Sequence, residues 1–135
     1  MSKQKEWKAI VNRPGIEKRK GENMFTEYID KKIQDLKNEE MILEKEERKD
    51  EANFIKIKIN ICEICKILYY VSKKEANAQN VKGFYLQKIE KLSLEWKASK
   101  EKAKEHNDIE KMTIEELKLE VLKDMKQKYM EFNEN

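Results

Sequence analysis

A single proline and three glycines in 135 residues are too few to punctuate a fold of short strands and tight turns. Most of them fall together, as Pro14-Gly15 and Gly21, so they set an N-terminal arm apart from the rest. Histidine occurs once, at His106, with no Glu-x-x-His or His-x-x-x-His spacing and no neighbouring cysteine. Neither a zinc-protease site nor a di-iron bundle site can be built around it. Three glycines also leave no G-x-x-x-x-G-K-[ST], G-x-G-x-x-G or G-x-S-x-G loop, which argues against nucleotide chemistry and against a nucleophile elbow. No apolar run approaches the ~18 residues of a membrane span, and the first lysines are not followed by the apolar core of a signal peptide. The expected location is cytoplasmic.

Charge is what the chain has in abundance. Charged residues make up 42% and apolar residues 39%, against about 25% and about 45–50% in ordinary globular domains, so every element must show water a wide polar face. The formal net charge is only +3, from 30 basic and 27 acidic residues. Its distribution is uneven. Residues 1–20 hold seven basic side chains (Lys3, Lys5, Lys8, Arg13, Lys18, Arg19, Lys20) against Glu6 and Glu17, an excess of +5, and the remainder of the chain is slightly acidic.

The periodicity is helical throughout. Phe25, Ile29, Ile33, Leu36 and Leu43 mark one face of a first long helix. The charged run 44–51 then offers a turn, with Asp50 as a cap ahead of Phe54; the rival reading is one helix continuing through it. Ile55-Lys56-Ile57-Lys58-Ile59-Asn60-Ile61 alternates like a strand, but Phe54, Ile57, Ile61, Ile64, Leu68 and Val71 form a heptad-like series that persists after the alternation stops. No other segment alternates to pair with a lone strand, so the stretch is read as a helix. Asn77, Gln79 and Asn80 make the next break, and Gly83 weakens only the start of the following helix. Val81, Tyr85, Ile89, Leu92, Trp96, Ser99 and Ala103 give the third stripe. His106-Asn107-Asp108 interrupts it, with His106 expected to face solvent at a helix end. Thr113 and Glu116 read as a capping box ahead of Ile114, Leu117, Val121, Met125, Tyr129 and Phe132. No internal repeat is visible by eye.

Candidate chemistry is sparse. Cys62-Glu63-Ile64-Cys65 has the spacing of a redox pair or half a zinc site, but it lies inside an apolar helix rather than at a helix start and has no second pair, so packing explains it better. The carboxylates fall on lysine-rich polar faces, none alone on an apolar stripe, and are expected to pair at i to i+4. Tyr69, Tyr70 and Trp96 read as core rather than as the lining of a ligand pocket. Only the arm suggests recognition: Lys3, Lys5, Lys8, Arg13, Lys18, Arg19 and Lys20 beside Trp7 could neutralise phosphates while the indole stacks, although Trp7, Ile10 and Val11, with the spacing of a short helix, could equally dock the arm on the body.

The expected fold is all-α: an antiparallel bundle of about four long helices over 22–135, with a short basic arm over 1–21. An elongated hairpin with one continuous helix from about 22 to 77 is the alternative. No cofactor, metal or catalytic residue is nominated. The expected function is non-enzymatic protein–protein contact, with another chain or with a second copy as a homodimer, because Tyr70, Leu86, Leu94, Leu119 and Met130 lie off the main stripes and are hard for a small monomer to cover. Nucleic-acid binding by the arm is the alternative, and membrane-surface binding ranks below it.

Overall fold

The computed structural model describes residues 20–76 and 80–133, with side chains from residue 24 onward. Four helices follow one another: α1 (Lys20–Lys45), α2 (Lys49–Ala76), α3 (Val81–Glu105) and α4 (Ile109–Phe132). The all-α four-helix bundle expected from periodicity is the fold. No strand occurs among the described residues, so the alternating stretch 55–61 is helical. Lys3, Lys5, Trp7, Lys8, Arg13, Lys18 and Arg19 lie outside the described residues, as do Asn77 and Gln79. Lys20 is already the first residue of α1.

The continuous helix from 22 to 77 is overturned at Glu47, whose φ of 59° lies in the left-handed region. There the Arg48 amide donates to the Leu43 carbonyl (2.9 Å) and the Glu47 amide to Glu44 (3.1 Å), the paired bonds that close a helix C-terminus. The Arg48 carbonyl then accepts from the Ala52 amide and opens α2. The second hairpin turns in the same way. Asn107 is left-handed (φ 55°), Asp108 donates to Ala103 (2.8 Å) and Asn107 to Lys104 (3.2 Å), and the Asp108 carbonyl accepts from Met112. Neither turn uses glycine or proline. Asp108 caps α4, its carboxylate accepting from the Lys111 amide at 3.1 Å. Thr113 is therefore not a cap. It sits inside α4, and its hydroxyl donates back to the Ile109 carbonyl.

The two hairpins match position by position at a constant offset of 60 residues. Phe25 corresponds to Tyr85, Ile29 to Ile89, Cys62 to Leu122, Cys65 to Met125 and Tyr69 to Tyr129, and all ten are buried. Even an ion pair is duplicated with its signs exchanged: Lys56–Glu40 (3.9 Å) becomes Glu116–Lys100 (3.4 Å). This repeat escapes inspection of the sequence because it lies in the burial pattern and seldom in residue identity.

α2 and α4 pack against each other in the middle, with α1 and α3 attached as their antiparallel partners. One ring from each helix meets at the end of the bundle where α1 and α3 begin. Phe25, Tyr69, Tyr85 and Tyr129 touch in all six pairings, with centroids 4.7–5.9 Å apart and edge-to-face planes. The Tyr85 hydroxyl donates to the Cys65 carbonyl (3.0 Å), which satisfies a phenol that has lost its water. Beside this cluster, Tyr28 donates to Asp124 (2.9 Å) and packs against Phe132, tying α1 to α4.

The seam of α2 differs from the sequence reading. Ala52, Ile55, Ile59, Cys62, Cys65, Tyr69, Ser72 and Ala76 are the core positions, stepping by three and four. Of the stripe read from large residues, only Ile61 is buried; Phe54, Ile57, Ile64 and Leu68 are half-buried and Val71 is exposed. Small residues at the seam allow α2 to approach its neighbours closely, and a count of large apolar side chains passes over them. Ser72 fits there because its hydroxyl donates to the Leu68 carbonyl (2.7 Å). Of the five large residues read as hard to cover, Leu86, Leu119 and Met130 are half-buried, and Tyr70 and Leu94 stand exposed.

Removing one ring from the four-ring cluster should cost more than its area alone, since each aromatic pair adds about 0.5–1.5 kcal/mol to burial. Phe25→Ala is expected to lower the unfolding free energy by about 3–5 kcal/mol in urea titration. Met41→Ala, an exposed site on the same helix, should change it by less than about 0.5 kcal/mol.

Candidate functional site

Three places in the fold could carry chemistry or recognition. The first is the cysteine pair. Both thiols are free and fully buried on the inner face of α2. Burial pushes Cys62 up to about 11 and Cys65 up to about 12, so both are protonated at neutral pH, and thiolates are needed for disulfide exchange or metal ligation. They are packing residues that keep the α2 seam narrow. No group of three His, Cys, Asp or Glu able to hold a metal occurs among the described residues. His106 ends α3 as its C-cap and is exposed to solvent.

The second is Glu115, which corrects the expectation that no carboxylate stands alone in an apolar seam. It is buried in α4, at the position equivalent to Ile55 in the first hairpin. Its Oε1 accepts from Lys118 Nζ (3.1 Å), and Lys118 lies over the Trp96 ring at 4.8 Å. Its Oε2 is buried with no hydrogen-bond partner among the described residues. No hydroxyl, thiol or imidazole joins this group in those contacts, so the geometry supplies a carboxylate and a cation without a nucleophile.

The third is an open apolar face between α2 and α3. Ile67 and Leu94 are each 59% exposed and Val71 37%, while Tyr70, 45% exposed, lies on the other side of α2 from Leu68. Leu68 and Leu92 lie between the two helices at the floor of a hollow of about 730 Å³, which Leu94 also lines. On α2, Ile67, Leu68 and Val71 are neighbours at three- and four-residue spacing. The charges at the edge cancel: Lys88 and Lys91 stand beside Glu90 and Glu95. Such a rim favours an apolar partner over a polyanion. In sequence, Leu94 gives the signal as a large residue off the main stripes. Ile67 and Val71 are recognisable only once the true seam of α2 is known.

Among the described residues, no helix is long and apolar enough to cross a membrane.

Two outcomes test these assignments. Unfolded thiols ionise near 9 and the native ones only at about 11 and 12, so the thiol form favours the fold. That contribution is complete below pH 9 and is lost as the pH rises from there through the native values. Tyr85, also held up by burial, acts in the same direction. Denaturant midpoints should therefore be flat to about pH 9 and fall above it, and both thiols should resist a disulfide reagent until the protein unfolds. Replacing the pair together, Glu115→Leu with Lys118→Met, removes a half-satisfied buried carboxylate without stranding the ammonium, and chemical denaturation should show a gain of about 1–3 kcal/mol.

No protein-family model, curated protein or solved structure matches this chain.

Proposed function

We propose that this chain is a non-enzymatic helical-bundle protein that works by contact with another protein chain, a second copy of itself being the first partner to test. The observation that carries the reading is the α2–α3 face, where exposed Leu94 lines a hollow over Leu68 and Leu92 and exposed Ile67 and Val71 lie next to Leu68 on α2. Covering a large apolar side chain releases about 1.5–3 kcal/mol. Ile67, Val71 and Leu94 are each already partly covered, so each has part of that gain left, and interfaces place their strongest contacts on apolar centres of this kind. The balanced rim fits the same reading, because it offers neither steering nor repulsion to a second copy.

The basic arm supports a second reading, nucleic-acid binding, through the +5 excess of residues 1–20. The two separate cleanly. Light scattering of the full-length chain behind size exclusion, at several concentrations, should show a dimer or larger species. Ile67→Lys with Leu94→Lys should convert it to monomer with unchanged helicity. A monomer at every concentration removes self-association. If labelled DNA or RNA is then retarded at low salt, and the retardation disappears when residues 1–20 are deleted, the second reading takes its place.

A further inference from the structure

The repeat of the two hairpins gives the bundle two equivalent flanks, and they are charged differently. On the α1–α4 flank, near the two hairpin turns, a hollow of about 330 Å³ has an apolar floor that includes Leu43, Phe54 and Leu117. Four acids, Glu39, Glu51, Glu116 and Glu120, line it against a single lysine, Lys58. Their equivalents 60 residues away are Ser99, Lys111, Lys56 and Asn60, so the other flank carries no acid at these positions. Glu51 is paired with Arg48, and Glu116 with Lys100. Glu39 and Glu120 have no ion-pair partner among the described residues, and both also border a second hollow of about 410 Å³ farther along the same flank, where Lys32, Lys58 and Lys123 balance them and Asp124. The hollow nearer the turns is thus an apolar trough in which acids outnumber lysine, with Glu39 and Glu120 on facing helices.

We propose that this trough is the docking site of the chain's own N-terminal segment, residues 1–19, with the Trp7, Ile10 and Val11 face on the apolar floor and Lys3, Lys5 and Lys8 against Glu39 and Glu120. The chemistry is complementary on both counts, since the segment joins an apolar face to the chain's largest excess of positive charge. The length is right as well. From the start of α1 to the level of Glu39 and Leu43 is about 30–35 Å at 1.5 Å per residue. With Trp7 to Val11 at the helical rise that puts them on one face and the rest extended, the segment from Trp7 to Arg19 reaches about 33 Å. Tethering makes the encounter intramolecular, so a modest contact area suffices. The site is separate from the α2–α3 face, and its occupation does not depend on the protein–protein reading.

Trp7 reports on the site directly. In full-length protein carrying Trp96→Phe, Trp7 is the sole indole. Its emission should be blue-shifted and protected from acrylamide at low salt. Protection should be lost in high salt and in Glu39→Lys with Glu120→Lys. The same charge change placed elsewhere, Glu101→Lys with Glu110→Lys, should leave it intact. An indole that emits as if in water, or one whose protection ignores the groove substitutions, overturns the proposal. Protection that grows with protein concentration overturns it too, since the occupant is then a second copy's segment. Should Trp96→Phe unfold the chain, carbodiimide coupling of the unaltered protein decides. Links from Lys3, Lys5 or Lys8 concentrated on Glu39 and Glu120 support docking, and links spread evenly over exposed acids such as Glu101 and Glu110 reject it.

Discussion

Four aromatic rings in mutual edge-to-face contact, one from each helix, are the constraint on which the rest of the bundle depends. A ring that touches three others fixes its helix in rotation and in axial position at once. Sliding α1 by one residue would carry Phe25 out of all three of its contacts. The cluster therefore sets the register between hairpins, which the charged outer faces, dominated by surface ion pairs worth a few tenths of a kcal/mol, cannot do. Within each hairpin the register is set separately, by a left-handed residue and its paired capping bonds at the opposite end.

This arrangement concentrates order at one end. The rings, the Tyr85–Cys65 hydrogen bond and the Tyr28–Asp124 link all lie where α1 and α3 begin. Toward the turns, the hairpins meet mainly through α2 and α4, and the α1–α4 flank opens into hollows. Glu115 belongs to this looser region. Where the first hairpin places Ile55, the second places a carboxylate that is only half satisfied, so the repeat is followed more strictly around the rings than near the turns. A half-satisfied group is a plausible cost only where packing is already relaxed.

Helix type, helix number and the absence of a partner for the alternating stretch are legible in the sequence because a 3.6-residue period survives a high charge content. The seam of α2 is not, for a physical reason. That helix contacts all three others, so it is apolar almost all round, and hydrophobicity alone cannot say which stripe is innermost. Close approach selects Ala52, Cys62, Cys65, Ser72 and Ala76, which hydropathy ranks below the isoleucines flanking them. The turns are hidden for a related reason: Glu47 and Asn107 adopt left-handed conformations without the glycine that usually announces them. At 106–108 the residues still suggest a break, but Thr113 with Glu116 imitates a capping box one turn too late, since Asp108 has already supplied the cap.

The consequences for function follow from how the repeat is decorated. A bundle of two matched hairpins presents equivalent flanks, and identical decoration would leave it unable to tell partners apart. Here the sign exchange between Lys56–Glu40 and Glu116–Lys100 shows that charge is free to differ while the buried positions are held. The α2–α3 face carries apolar side chains within a neutral rim, and the α1–α4 trough carries apolar side chains within an acidic one. On the two proposals, apolar contact supplies the affinity in both cases and the rim supplies the choice of occupant. One rigid scaffold would then serve a neutral surface on one flank and a cationic segment on the other.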